Sequence, residues 1–350
     1  MAALSQNFET HEKHEYMKHA MRYENRVCVI GMALALTSPA LAQTGAAGAG
    51  DYPTKSIRLV VPSAPGGGTD IIARLVAQGL TDSWGQSVVV DNRGGAGGIP
   101  GVTSVAKASL PDGYTMLLGS VGHLSFAPAI YPKLDYDPQK NLTPISLVAS
   151  QPFIVAVHPS LPVNSIKELI AYAKSRPGAV SYASGGSGSA THLGTELLQL
   201  TGGFTMLHVP YKGSAPGMSA LMGGEVQLCL AGVATTLPHA KSGKVKALAV
   251  TGAKRSPAAP ELPTVAEAGV PGYEFDVWYG LVFPGGTPRA IVTKTNAEIV
   301  KLLKSPVAGE RFAAAGLEPR GSTPDEFADL IQREILKWKK VVKAANIVVE

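Results

Sequence analysis

Apolar residues in this chain come in short runs, each closed by a glycine-rich break and followed by a stripe of helical spacing. Ile57-Arg58-Leu59-Val60-Val61 reads as a short buried strand, rich in β-branched residues. Beyond the break, Ile71, Ile72, Leu75, Val76 and Leu80 recur at helical intervals, so the spacing predicts an amphipathic helix beginning near Thr69 or Asp70. The unit returns further along. Val180 to Ala183 reads as a strand, Ser184 to Ser189 as a glycine-serine loop, and Thr191-His192-Leu193 as the opening of a helix carrying Leu197, Leu198 and Leu200. Between and after the two copies, strands are predicted over Ser87 to Asp91, Tyr114 to Leu118, Met206 to Val209, Val226 to Ala231 and Val245 to Val250. Such alternation with helices predicts a second parallel α/β sheet.

Two stretches break the rhythm. Asn141 to Val157 is long and extended, punctuated by Pro144 and Pro152, and reads as a strand running from one lobe to another. Phe275 to Phe283 is a candidate return crossing. Three helices close the chain, over Pro288 to Leu303, Val307 to Ala314 and Thr323 to Ala344. Ser165 is placed to cap a helix of Ile166, Leu169, Ile170 and Tyr172, and Thr323 with Glu326 has the form of a capping box. Two α/β lobes, two crossing strands and a glycine loop on each lobe describe a hinged clamp, which holds ligands where its helix N-termini converge.

The loop Ser63-Ala64-Pro65-Gly66-Gly67-Gly68-Thr69-Asp70 is the candidate for chemistry. Its glycines free the backbone to curl with N–H groups exposed, and the following helix adds unpaired donors and a partial positive charge. That is an anion cradle. No lysine follows the glycines, as a P-loop requires, and Ile71 stands where the dinucleotide fingerprint needs a third glycine. Gly95, Gly97 and Gly101 approximate a dinucleotide pattern, but Pro100 sits inside it. A carboxylate suits the loop better than a nucleotide. Asp70 reads as a partner for the helix dipole, with a ligand amine as its alternative. His192 is a candidate donor to a carboxylate, and Tyr211 a candidate for reaching the cleft. Trp278 is read as packing in the crossing.

Composition narrows the classes. At 350 residues two domains are expected, and a net charge of +5 without a basic run gives no footprint for nucleic acid. Arg22 and Arg26, the apolar stretch Val27 to Leu36, and Ala40-Leu41-Ala42 have the pattern of an export signal cleaved near Ala42. Cleavage would remove Cys28 and leave Cys229, read as a buried strand residue. His11, His14 and His19 precede the cleavage point and lack metal-ligand spacing, so neither metal nor cofactor is expected. Gly185-Gly186-Ser187-Gly188-Ser189 has Ser189 where a nucleophile elbow closes on glycine, which stands against the rival class, a secreted α/β hydrolase-like enzyme.

Several segments resemble a known family, the periplasmic receptors of the tripartite tricarboxylate transporters, also called Bug-type receptors. They include Pro65-Gly66-Gly67 with Thr69-Asp70, Asn92-Arg93 with Gly95-Ala96-Gly97-Gly98, and Pro111-Asp112-Gly113-Tyr114-Thr115. Val209-Pro210-Tyr211-Lys212-Gly213 and Pro263-Thr264-Val265-Ala266-Glu267-Ala268-Gly269 follow in the family's order. The resemblance implies an α/β, two-lobed periplasmic-binding-protein (Venus flytrap) fold whose two domains are joined by two long crossing strands. It implies a leader over 1–42, one domain from 51–148 plus 276–350, and another from 149–275. It further implies a monomeric, non-enzymatic periplasmic receptor that holds a small carboxylate and passes it to a membrane permease. Sensing for a membrane kinase is the alternative. The expected contacts are Ser63, Ala64, Gly66, Gly67, Gly68, Thr69 and Asp70 from one lobe, and Gly186, Ser187, Gly188, Ser189 and His192 from the other. Ser120, His123, Tyr211 and Ala231 complete the set. Leu230-Ala231-Gly232 lacks the acidic residue common in relatives, and Val121 to Phe126 is less polar than theirs; where these segments line the cleft they change the ligand.

Overall fold

The strands form within two residues of the apolar runs that predict them, except the last, which no run announces. They are β1 (Ile57–Val61), β2 (Val88–Asn92), β3 (Thr115–Ser120), β4 (Leu142–Val157), β5 (Ser181–Ser184), β6 (Leu207–Pro210), β7 (Leu228–Gly232), β8 (Lys246–Val250), β9 (Asp276–Pro284) and β10 (Glu318–Pro319). The computed structural model describes residues 50–66 and 68–347. The predicted export signal, Cys28, the three early histidines and Gly67 lie outside the described residues.

Hydrogen bonding runs through the order β2-β1-β3-β9-β4-β7-β5-β6, with β8 and β10 also paired to β4. β4 belongs to both halves. Its residues Leu142 to Pro152 pair with β9, whereas Phe153 to Val157 pair with β7 on one side and Ile154 to Val157 with β8 on the other. The chain returns at the same level: the Phe275 N–H bonds the Thr251 carbonyl in the second half, and Asp276 stands opposite Pro152 in the first. The result is a two-lobed, mixed α/β fold. The sheets are not purely parallel as alternation predicted. β1 is parallel to β2 and β3, and β5 to β6 and β7, but the crossing strands run against their neighbours. A strand that passes between lobes has no crossover helix to turn it parallel.

Both faces of β4 are covered. Val155 and Val157 join the larger core, and Ile154 and Ala156 a second core with Ala183, Cys229 and Ala231. Burial pushes the Cys229 thiol up to about 12, so it packs as an inert hydrophobe. The closing helix Pro324–Ala344 starts on the predicted capping box and buries Trp338 fully against Phe126 and Phe275. Trp278 packs as read, 4% exposed and edge-on to Phe327. Among the elements that escape the sequence pattern, two matter for the site and the lobes. One is the helix Val233–Lys241, which carries Pro238 inside it. The other is a wide turn over Gly122–Phe126 running into the short helix Ala127–Ile130. Among the described residues no helix is long and apolar enough to cross a membrane.

Candidate functional site

The first glycine loop is held in shape by side chains turned inward. Asp70, 2% exposed, accepts from the Gly66 N–H at 2.8 Å, from Arg74 Nε at 2.9 Å and from Asn92 Nδ2 at 3.0 Å. Burial pushes its carboxyl up, but these hydrogen bonds and the Arg74 charge outweigh it and hold the group below the usual range. The Asn92 amide also donates to the Ser63 carbonyl. The Asp70 carboxylate is therefore committed to the loop. Ala64, Gly66 and Gly68 are exposed and Thr69 is half-buried, whereas the Ser63 hydroxyl is buried without a partner among the described residues.

A second support comes from His123. Its Nδ1 takes the Ser120 N–H at 3.1 Å, with the Ser120 hydroxyl 2.9 Å away, and the ring also bonds the Pro62 carbonyl. Since Nδ1 accepts, Nε2 carries the proton and donates. Burial pushes this imidazole down to about 4, so it is neutral and joins the end of β3 to the end of β1. The contact needs Gly98, with φ of +79°: a Cβ there would lie 2.4 Å from the Pro62 carbonyl and 2.5 Å from His123 Nε2.

The other lobe repeats the device. Ser189 caps the helix Ala190–Gly202 by accepting from the His192 N–H. Thr191 Oγ1 takes the Gly185 N–H, Ser184 Oγ the Gly186 N–H, and His192 Nδ1 the Gly188 N–H at 3.0 Å. His192 stacks on His208 at 4.0 Å between ring centroids, and burial together with the His208 ring pushes it down to about 4. Several amides expected to face a ligand thus bond within the loop. Those of Ser187, Ala190 and Thr191 remain without a partner among the described residues.

The second loop and the His123 turn meet in a cavity of about 290 Å³. Ser120 and His123 line it from one lobe, and Ser187, Gly188 and Ser189 from the other. Gly186 is not among the lining residues. Ser63 to Asp70 are not among the residues lining it, Ala231 is buried in the second core, and the Tyr211 hydroxyl points to Glu225 at 3.3 Å. Sequence reasoning missed Ile130, Tyr131 and Val277 in the wall. It also missed Tyr279, whose hydroxyl would lie 3.7 Å from a Cβ placed on Gly68. Burial pushes that phenol up to about 12, which keeps it a donor. The available signal was register, for Tyr279 stands opposite Ser120 and two residues beyond Val277. Chemically, the arrangement offers neutral donors and an apolar wall, with the Nδ1 of each imidazole already taken by a backbone N–H.

Comparison with known proteins agrees with the geometry. Residues 72–347 match the family described as tripartite tricarboxylate transporter family receptor. Protein BugT of Bordetella pertussis is 39% identical over 327 residues, spanning 92% of this chain and 98% of its own. The UPF0065 protein in the tcbD-tcbE intergenic region of a Pseudomonas sp. is 38% identical over 318 residues, 91% of this chain and 93% of its own. Among solved structures, an R. palustris protein with adipate is 40% identical with a TM-score of 0.72, covering 85% of this chain and 99% of that one. MatC from Rhodopseudomonas palustris, with bound malate, is 34% identical with a TM-score of 0.68, covering 83% of this chain and 100% of that one.

Proposed function

The chain belongs to the tripartite tricarboxylate transporter family of receptors, and on that premise we propose that it is a periplasmic solute-binding protein capturing a small carboxylic acid between its lobes. It performs no reaction of its own. Its partner is a membrane permease of the tripartite tricarboxylate type, to which it delivers the acid as a monomer. Residues 51–148 with 276–350 make one lobe and 149–275 the other, a division supported by the change of partners along β4 at Pro152 and Phe153. The observation that carries the reading is a cavity to which both lobes contribute beside the second glycine loop, with Ser120 and His123 from one lobe and Ser187 to Ser189 from the other. The relatives solved with adipate and malate support the choice of a carboxylate.

The grip comes from backbone dipoles. The helix beginning at Ala190 presents free N–H groups, and such a terminus favours an anion by about 0.3–1 kcal/mol when exposed and up to about 2 kcal/mol when partly buried. The Gly68 helix and the Tyr279 hydroxyl are the matching donors of the first lobe. Calorimetric titration with a panel of small acids tests this. Ser187→Ala is expected to cost about 0.5–1.5 kcal/mol of binding, the range of one ordinary hydrogen bond. Gly186 holds a φ of +115° that L side chains rarely adopt, so Gly186→Val distorts the cradle and costs much more. Loss of binding in Ser187→Ala with full binding in Gly186→Val would reject the backbone grip. Failure of every acid to bind would reject the carboxylate.

A further inference from the structure

The inner wall of the cavity between the lobes is hydrocarbon. Val121 and Phe126 come from the wide turn after β3, Ala127 and Ile130 from the short helix that follows, and Val277 from β9. Tyr131 adds one ring and the wall's one hydroxyl. None of the described lining residues is lysine or arginine. The polar side is equally defined. His123 and His192 are neutral, and the Nδ1 of each already accepts a backbone N–H. The Gly185, Gly186 and Gly188 amides are bonded inside their own loop. Among the described residues, the amides of this lobe that remain free, at Ser187, Ala190 and Thr191, lie together at the mouth of one helix and suit one carboxylate group, with the Tyr279 hydroxyl as a donor from the other lobe.

From this division we infer that the ligand is a carboxylic acid with an uninterrupted hydrocarbon or aromatic body, and that hydroxylated and tricarboxylic acids are excluded. The inference rests on the carboxylate reading above and narrows it. A hydroxyl on the ligand's body would leave water to face Val121, Ile130 and Val277, none of which offers a partner, so its desolvation is uncompensated. A third carboxylate would face the same wall with no cation beside it.

The test is a matched pair. Adipate and galactarate have the same chain length and the same two carboxylates, and differ only in four hydroxyls on the body. Titration calorimetry of the full chain is run with both, and with hexanoate and citrate. Adipate and hexanoate are expected to bind at least about 100-fold more tightly than galactarate and citrate, the scale on which an apolar pocket rejects an added hydroxyl. Galactarate or citrate binding as tightly as adipate overturns the inference while leaving the carboxylate receptor intact. Silence with all four acids overturns both. Ile130 is half-buried, so Ile130→Gln is expected to fold, checked by its melting curve without ligand. It places an amide on the wall and is expected to narrow the adipate-to-galactarate ratio about tenfold; an unchanged ratio in a folded variant counts against the wall as the selector.

Discussion

Asp70 stands beside a glycine loop at the start of a helix, where a ligand's amine would be drawn, yet its three hydrogen bonds are all internal. The consequence is separable by substitution. Asp70→Ala leaves the Gly66 amide and the Asn92 side chain without their acceptor and is expected to destabilise by about 1–3 kcal/mol. Arg74→Ala removes a partner whose side chain is 58% exposed and is expected to cost less than about 1 kcal/mol. Urea denaturation near neutral pH measures both, and equal losses would mean that the ion pair, rather than the loop, is what Asp70 supports. Its folded-state pKa is depressed, so the stabilisation is present above the ordinary aspartate value of ~3.9 and disappears as the pH falls below it. The site was only half legible in the sequence for the same reason. Glycines between a strand and a helix announce a cradle, but whether His192 or Asp70 faces outward depends on bonds to Gly188 and Asn92 that no spacing rule encodes. Ile130 reaches the cavity after a turn of unusual width, and register brings the Tyr279 hydroxyl beside Gly68; neither is visible in periodicity.

Among the elements, β4 is the one the sequence displayed best. An extended run too long for one small sheet predicted a crossing, and its residues pair with β9 up to Pro152 and with β7 and β8 beyond. The helix Val233–Lys241 was hidden because Pro238 interrupts its pattern. At the level where β4 changes partners sits Asp276, with the Arg320 guanidinium 3.8 Å away and Glu318, Glu274 and Lys337 also acting on it. Its Oδ1 is buried without a partner. Burial pushes this carboxyl up to about 7, Glu318 and Glu274 add to the rise, and Arg320 and Lys337 oppose it. The folded state therefore keeps a proton that the unfolded chain has released, and stability falls as the pH rises from about 4 to about 7. Asp276→Asn removes that loss. Thermal melts of both proteins should separate progressively over this interval, with the variant the more stable at about pH 8 and the gap constant beyond. A gap that does not change with pH would show that Asp276 ionises normally in the fold.

For the whole molecule, the two-lobed class was readable because the strand-loop-helix unit occurs twice and two long strands separate the copies. The mixed direction of the sheets was not readable, since periodicity carries no information about which way a neighbour runs. Strand order has a consequence in time. β9 lies between β3 and β4, with Leu117 to Ser120 on one side and Leu142 to Pro152 on the other. Every strand of the second lobe precedes it in the chain. A chain ending at Phe275 is therefore expected to hold a finished second lobe and a first sheet split down the middle, and to aggregate through the two bare edges, as size-exclusion chromatography would detect. A monodisperse product would mean that the edges protect themselves. During synthesis the same gap is open in every nascent molecule, so the half that is translated first matures last, and it does so only when the final quarter of the polypeptide arrives to close it.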